Sequence, residues 1–366
     1  KGIEFLMKKN EIDYISARGK LLRSGKIETT DADGKIAEIL ADNIIVATGA
    51  RAKWFPGMEP DGKQIITYKE AMIPKKQPKS MVIIGAGAIG VEFAHFYHTF
   101  GTEVTLIEAL PNILPVEDLD ISKELEKIFK KRKMNILTNT MVDKIEKLKS
   151  KVKVHLENGE IVEAEQALIA VGVKGNIEDL GLEDCRIAVD KGWIKINEYL
   201  QTSLPNVYAI GDVAGPPWLA HNASAEGIIA SEHIAGLNPE PMKYDNIPGC
   251  TYCHPEVASV GLTEKVAKEK GYEVKIGNFP FRGLGKSMAV GDTDGFVKVI
   301  YDARYGEMLG CHIIGAEATN LITEAVIARN LETTHHEVLK TIHPHPTLSE
   351  AIMEATADAL GEGIHI

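Results

Sequence analysis

The chain is 366 residues long, enough for two or three domains with substantial cores. Apolar residues make up 44% and charged residues 25%, an ordinary globular balance, and a formal charge of −11 argues against nucleic acid as a partner. No run of about 18 apolar residues occurs, so no segment is expected to cross a membrane.

The chain opens on Lys1 in the middle of an amphipathic helical pattern, with no initiator Met, no signal-type apolar block and no cleavage site. A preceding segment is therefore expected. Alternating strands surround Asp33-Gly34, a hairpin-type turn signal. They lead to Asn43-Ile-Ile-Val-Ala-Thr-Gly-Ala50, a buried strand closed by a tight turn. Residues 51–80, rich in Pro, Gly and Lys, read as a connector.

The most informative stretch follows. Met81 to Ile84 is a short apolar run of the kind found in buried parallel strands, and Gly85, Gly87 and Gly90 then stand at G-x-G-x-x-G spacing on the turn into a helix. Gly85 permits the turn, Gly87 admits a pyrophosphate to the backbone, and Gly90 allows close packing of helix on strand. The helix opened by Ile89 and Val91 offers free N–H groups and its positive dipole end to the phosphates. Gly101 closes that helix, a second strand runs from Val104 to Ile107, and Glu108 stands at its carboxyl end. An acid about 20 residues beyond the glycines accepts from both ribose hydroxyls and repels a 2′-phosphate, which favours NAD over NADP.

Further along, Ile121–Lys133 reads as a charged amphipathic helix. Val152–Leu156 and Ile161–Glu163 flank Asn158-Gly159, a strong hairpin signal. Ala167 to Gly172 repeats the strand-then-glycine pattern of Val46 to Gly49, which suggests two related nucleotide-binding halves. A third apolar strand stops at Gly211-Asp212. Asp212 reads equally as a ligand contact at a parallel strand tip or as a cap for a helix over 220–235. From about residue 244 an α+β pattern takes over, with strands at 257–260, 273–279 and 295–300 and helices at 318–330 and 347–360.

Thr341-Ile-His-Pro-His-Pro-Thr-Leu-Ser-Glu350 is the second informative stretch. Two prolines fix the backbone around His345. Thr347 and Glu350 form an S/T-x-x-E capping box, so Glu350 serves helix N–H groups, or alternatively orients the His345 imidazole as a base. His343 and His345 as metal ligands lack a third partner at sensible spacing, so no metal is expected. Cys250 and Cys253 have redox-dithiol spacing but precede strand residues rather than a helix, which favours two ordinary thiols. The His335-His336 doublet reads as solvated surface. Four cysteines are too few for a disulfide scaffold of this length and suit a reducing, cytoplasmic compartment.

Taken together and in order, the dinucleotide unit with Glu108, the Ala-Thr-Gly and Ala-Ile-Gly-Asp motifs and His-Pro-His-Pro-Thr-Leu-Ser-Glu resemble the FAD-dependent pyridine nucleotide–disulfide oxidoreductases, over essentially the whole chain. The resemblance implies an α/β fold: a Rossmann-like NAD domain (78–197) inserted in the remainder of an FAD domain (1–77 and the return segment 198–243), plus an α+β dimerisation domain (244–366). It implies that Gly19, Thr48, Gly49, Ala50, Asp212, Trp218, Leu219, Ala220 and His221 contact FAD. Gly85, Ala86, Gly87, Ala88, Ile89, Gly90, Val91, Glu92, Glu108, Val142 and Gly172 match the NAD site, with Glu92 also matching an acid paired to a flavin-side lysine. His345, oriented by Glu350, looks like the base that deprotonates a dihydrolipoamide thiol beside the flavin of a second subunit. The implied enzyme is a homodimer that reoxidises dihydrolipoamide, passing electrons through a disulfide and FAD to NAD⁺. Its implied partner is the lipoyl-bearing acyltransferase of a 2-oxoacid dehydrogenase complex. The family's redox pair, two cysteines with four residues between, and its first FAD glycine motif are expected in the preceding segment; Cys250 and Cys253 match neither spacing nor place. A glutathione-type reductase and a flavin-free NAD-binding dimerisation module are the alternatives.

Overall fold

A computed structural model describes residues 1–23 and 25–365. The chain forms two compact units, one of residues 1–51 and 173–242, the other of residues 52–172 and 243–366.

The second unit is built around a five-stranded parallel sheet. Its strands run in the order Ile65–Ile66, Gln166–Ile169, Ser80–Ile84, Glu103–Ile107 and Asn135–Leu137. Met81 to Ile84 are all buried, which is why this strand reads as a continuous apolar run rather than an alternating one. Strand Ser80–Ile84 feeds helix Ala88–Thr99 and then strand Glu103–Ile107 alongside in parallel register. The connector expected over 51–80 contains an edge strand of this sheet and a short helix, Tyr68–Met72. Ile65-Ile66 is too short to carry a periodic signal; it is fixed by pairing with Ala167 and Leu168.

The two faces of the sheet are covered differently. Helices Ala88–Thr99 and Leu119–Lys131 bury Val91, Ala94, Tyr97, Ile121, Leu125 and Phe129 on one side. On the other, the antiparallel strands Val142–Lys147, Val152–Leu156 and Ile161–Ala164 contribute Ile145, Val154, Leu156 and Ala164. Asp118 caps the second helix by accepting from the Asp120 N–H at 3.1 Å.

Residues 243–366 add a five-stranded antiparallel sheet ordered Gly249–Thr251, Glu256–Gly261, Met308–Gly315, Phe296–Asp302 and Val274–Pro280. Strand Met308–Gly315 lies at its centre and is buried at every position, so sequence alternation could not reveal it. Cys253, Val257 and Ile314 from this region join the core of the parallel sheet. Lys298, 2% exposed, fastens the same junction: its ammonium meets Asp118 at 2.9 Å, Asp120 at 2.5 Å and Glu264 at 2.7 Å. Its position inside an apolar strand hides it from a patterning argument. A buried cation of this kind needs all its partners.

The first unit holds a parallel pair, Ile44–Val46 with Val207–Ala209, and a separate antiparallel sheet, Arg18–Leu21, Lys26–Thr30 and Ile36–Leu40. The hairpin expected around Asp33-Gly34 forms, its turn tied by the Asp31 carboxylate to the Asp33 and Lys35 N–H groups. Ile44, Val46, Ile194, Val207, Ala209 and Val213 share one core. Helix Gly2–Lys9 buries none of its residues. Among the described residues no helix is long and apolar enough to cross a membrane.

Candidate active site

The glycine loop is shaped by backbone. Gly85 has φ +97°, and a Cβ on it would lie 2.4 Å from the Ala170 carbonyl oxygen; one on Gly90 would lie 1.9 Å from that of Gly85. A Cβ on Gly87 would meet nothing within 4 Å, so the space above it is open. Gly87 is also the N-cap of helix Ala88–Thr99, whose first turn receives no side-chain cap and carries no acid. The N–H groups of Ala88, Ile89 and Gly90 therefore remain for an external acceptor, while Val91 N–H already bonds Gly87.

Glu108 closes the loop. One carboxylate oxygen accepts from Ala86 N–H at 2.7 Å and the other from Leu110 N–H at 2.9 Å. The side chain is thereby fixed, and each oxygen keeps a lone pair for a further donor such as a ribose hydroxyl. An open glycine, orphan helix donors and an anchored acid fit a diphosphate-linked nucleoside. Glu92, in the second turn of the same helix, accepts from Tyr252 N–H at 2.9 Å, and burial raises its carboxyl above the usual range. Gly172, φ +103°, follows the adjacent parallel strand, and Val142 begins the covering antiparallel sheet opposite Leu156.

The strap before the last helix supplies the second group. The His345 ring is 76% exposed, and its Nδ1 lies 2.9 Å from Glu350 Oε1. Glu350 Oε2 accepts from Thr347 N–H at 2.8 Å. One carboxylate thus performs both roles read from the sequence, capping with one oxygen and holding the imidazole with the other. The box is only half formed, since the Thr347 hydroxyl donates to the Pro344 carbonyl and Ser349 stands at the helix N-cap. Burial pushes the Glu350 carboxyl up, but the Thr347 N–H and the His345 ring outweigh it and hold the carboxyl below its usual range. With Nδ1 donating to this carboxylate, Nε2 is left as the proton acceptor.

In the first unit, strands Ile44–Val46 and Val207–Ala209 run parallel and in register, so their carboxyl ends present Thr48, Gly49 and Ala50 beside Gly211 and Asp212. Thr48 is locked to Asn176 by two hydrogen bonds of 2.8 and 2.9 Å. Asp212 does not cap helix Ala220–Ile234, whose N-cap is Leu219; it lies in a short 3-10 turn, its carboxylate without a hydrogen bond among the described residues and raised by burial. That turn is held from behind by Glu226, which accepts from Gly211 N–H at 2.6 Å and from Asn222 at 3.0 Å. Neither Asn222 nor Glu226 was singled out from sequence; a carboxylate on the apolar side of a helix is the one signal that marks them. Asn222 Oδ1 is buried and unpartnered among the described residues, and the strand-tip location suits a ligand rich in hydroxyls. Leu219, Ala220 and His221 open the helix, and Trp218 packs 5.2 Å from Trp193. Gly19 sits in the other sheet, opposite Thr29.

Burial pushes Cys253 and Cys311 up to about 12, and raises Cys185 and Cys250 as well. All four are free, and Cys253 Sγ donates to the Pro255 carbonyl. His335 is not solvated surface: its ring packs edge-on against Tyr301 at 5.8 Å. Among the described residues no three His, Cys, Asp or Glu side chains gather as metal ligands.

These features define a class of protein. Residues 1–227 match the pyridine nucleotide-disulphide oxidoreductase family and residues 247–356 match that family's dimerisation domain; the chain belongs to this family of oxidoreductases. Among individual relatives, it is 46% identical to the dihydrolipoyl dehydrogenase of Rhizobium etli, over 98% of this chain and 79% of that one. The dihydrolipoyl dehydrogenase of Bacillus subtilis is 45% identical over 100% of this chain and 80% of the relative. In structure the chain resembles LpdA from Mycobacterium tuberculosis, with a TM-score of 0.91 at 28% identity over 97% of this chain and 79% of that one. It also resembles the HOCl-induced flavoprotein disulfide reductase RclA from Escherichia coli, with a TM-score of 0.88 at 25% identity over 97% and 83% of the two chains.

Proposed function

We propose that this chain reoxidises dihydrolipoamide and delivers the electrons to NAD⁺, working as a homodimer through residues 244–366. The observation that carries the reading is the exposed His345 ring held by a capping carboxylate, in a chain whose relatives are dihydrolipoyl dehydrogenases. In this proposal residues 78–197 hold NAD, while residues 1–77 and 198–243 contribute to the FAD site. The lipoyl-bearing acyltransferase of a 2-oxoacid dehydrogenase complex is the partner, and the compartment is the cytoplasm.

Each residue then has a task. The N–H groups of Ala88, Ile89 and Gly90 receive the pyrophosphate of NAD, Gly87 leaves it room, and Glu108 accepts from the adenosine ribose and repels a 2′-phosphate. Glu92, Val142 and Gly172 complete the NAD site. Thr48, Gly49, Ala50, Asp212 and the run Trp218–His221 hold FAD, with Gly19 as an outer contact. FAD supplies, when bound, the two-electron relay between a dithiol and the nicotinamide. His345 Nε2 takes the proton from a substrate thiol, and Glu350 keeps Nδ1 protonated and stabilises the imidazolium so formed. The overall change balances: dithiol and NAD⁺ give disulfide, NADH and one proton, which leaves through His345 to solvent. His345 serves the flavin of the partner protomer.

Purified full-length protein supplied with dihydrolipoamide should form NADH with NAD⁺ and very little NADPH with NADP⁺. Efficient turnover of glutathione disulfide with NADPH, and none of dihydrolipoamide, would overturn the reading.

A further inference from the structure

The His343 imidazole, two residues before His345, has no task in the scheme above. Its side chain is 4% exposed, against 76% for His345. Both its ring nitrogens meet oxygen. Nε2 lies 2.7 Å from Glu324, on helix Ala318–Asn330, and Nδ1 lies 3.1 Å from the Thr341 carbonyl. A carbonyl cannot donate, and neither can an ionised carboxylate, so each nitrogen carries a proton and the ring is a cation. In the same direction, the Glu324 hydrogen bond outweighs burial and holds the imidazole above its usual range.

We propose that His343 is a charged positioning residue: clamped to Glu324, it fixes the strap that carries His345. The proposal rests on His345 being the thiol base. The strap has two anchors on different helices, Glu324 holding His343 and Glu350 holding His345. Between them stands only Pro344, whose fixed φ transmits little slack. Glu350 feels the charge of both rings. Glu350 in turn keeps the His345 imidazole oriented. On the sheet beneath, Tyr301 and Cys311 also face Glu324; burial is the main cause that raises both, and that carboxylate adds to it. The charged groups bearing on His343 are thus Glu324 and Glu350.

Histidine ¹⁵N NMR of the full-length holoenzyme reads the ring without relying on turnover. Both His343 nitrogens should stay protonated at pH values above the ordinary imidazole midpoint of about 6.5, and Glu324→Gln should bring the ring back toward that midpoint. His343→Gln removes the cation and with it the clamp to Glu324. Because the strap loosens, kcat should fall about tenfold with KM nearly unchanged, and Glu324→Asp should retain most of the wild-type rate. A His343 ring that loses its proton at or below that midpoint, or an unaltered kcat in folded His343→Gln, overturns the proposal. Near-normal turnover of His345→Gln would overturn it by a different route, removing the base while leaving the charge on His343 intact, so the two failures are told apart.

Discussion

The glycine loop and the histidine strap solve the same problem, placing a reactive group, by opposite means. In the loop the working donors are backbone N–H groups, and the side chains matter mainly by being absent from Gly85, Gly87 and Gly90. In the strap the working atoms are all on side chains, and they are placed by carboxylates reaching from two helices. The loop is therefore sensitive to added volume. The strap tolerates volume at its exposed ring and responds to charge.

The largest effect expected is on the strap. His345→Gln should lower dihydrolipoamide-driven NADH formation by about 10²–10⁴-fold, the range of a positioned general base, while calorimetric NAD⁺ affinity stays within about twofold. Equal loss of both would erase the distinction between the regions. Gly90→Ala is the reciprocal change: its methyl group has no room against the Gly85 carbonyl, so the loop must shift by an ångström or more. NAD⁺-dependent turnover should drop by about 10²-fold, and an unaltered KM for NAD⁺ would show that the loop is not the binding element.

Glu350→Gln sharpens the comparison further. Glutamine can still accept from Thr347 N–H, so helix Glu350–Ala359 should persist, but the charge beside His345 is gone. Turnover should fall by about tenfold or more with little change in thermal midpoint, as removal of a charge-assisted partner predicts. The wild-type carboxyl titrates below its ordinary 4.5 in the folded state, so its stabilisation is present above that pH and is lost as pH falls through the folded value. Acid unfolding followed by circular dichroism should accordingly be shallower in Glu350→Gln than in the wild type. The smallest change expected is in cofactor preference: Glu108→Ala with a basic residue nearby should shift kcat/KM from NAD⁺ toward NADP⁺ by tens-fold or less. Unchanged discrimination would take Glu108 out of the ribose site.

The two regions also differ in how far they can be read from sequence. Backbone sites announce themselves, because glycine spacing and an apolar run specify a conformation directly: strand Ser80–Ile84, helix Ala88–Thr99 and the acid at 108 all stand where the pattern puts them. Glu350 and His345 are legible as a pair only because Glu350 follows His345 by five positions, at the start of the next helix. Glu324 lies 19 positions before His343 and carries no local signal, so its partner read as a bare metal-ligand candidate. The same reason hid Lys298 and its three carboxylates, and the fully buried central strand Met308–Gly315, whose surroundings erase alternation. The connector over 51–80 was misread because a two-residue edge strand is specified by its neighbour rather than by itself.

The central claim is that His345 moves a thiol proton and does nothing for the nicotinamide. It is tested most directly by comparing, in His345→Gln, dihydrolipoamide-driven NAD⁺ reduction with NADH-driven reduction of ferricyanide, which requires no thiol base. The account predicts that the first reaction collapses while the second stays close to the wild-type rate. Parallel loss of both, or survival of the first, would contradict it.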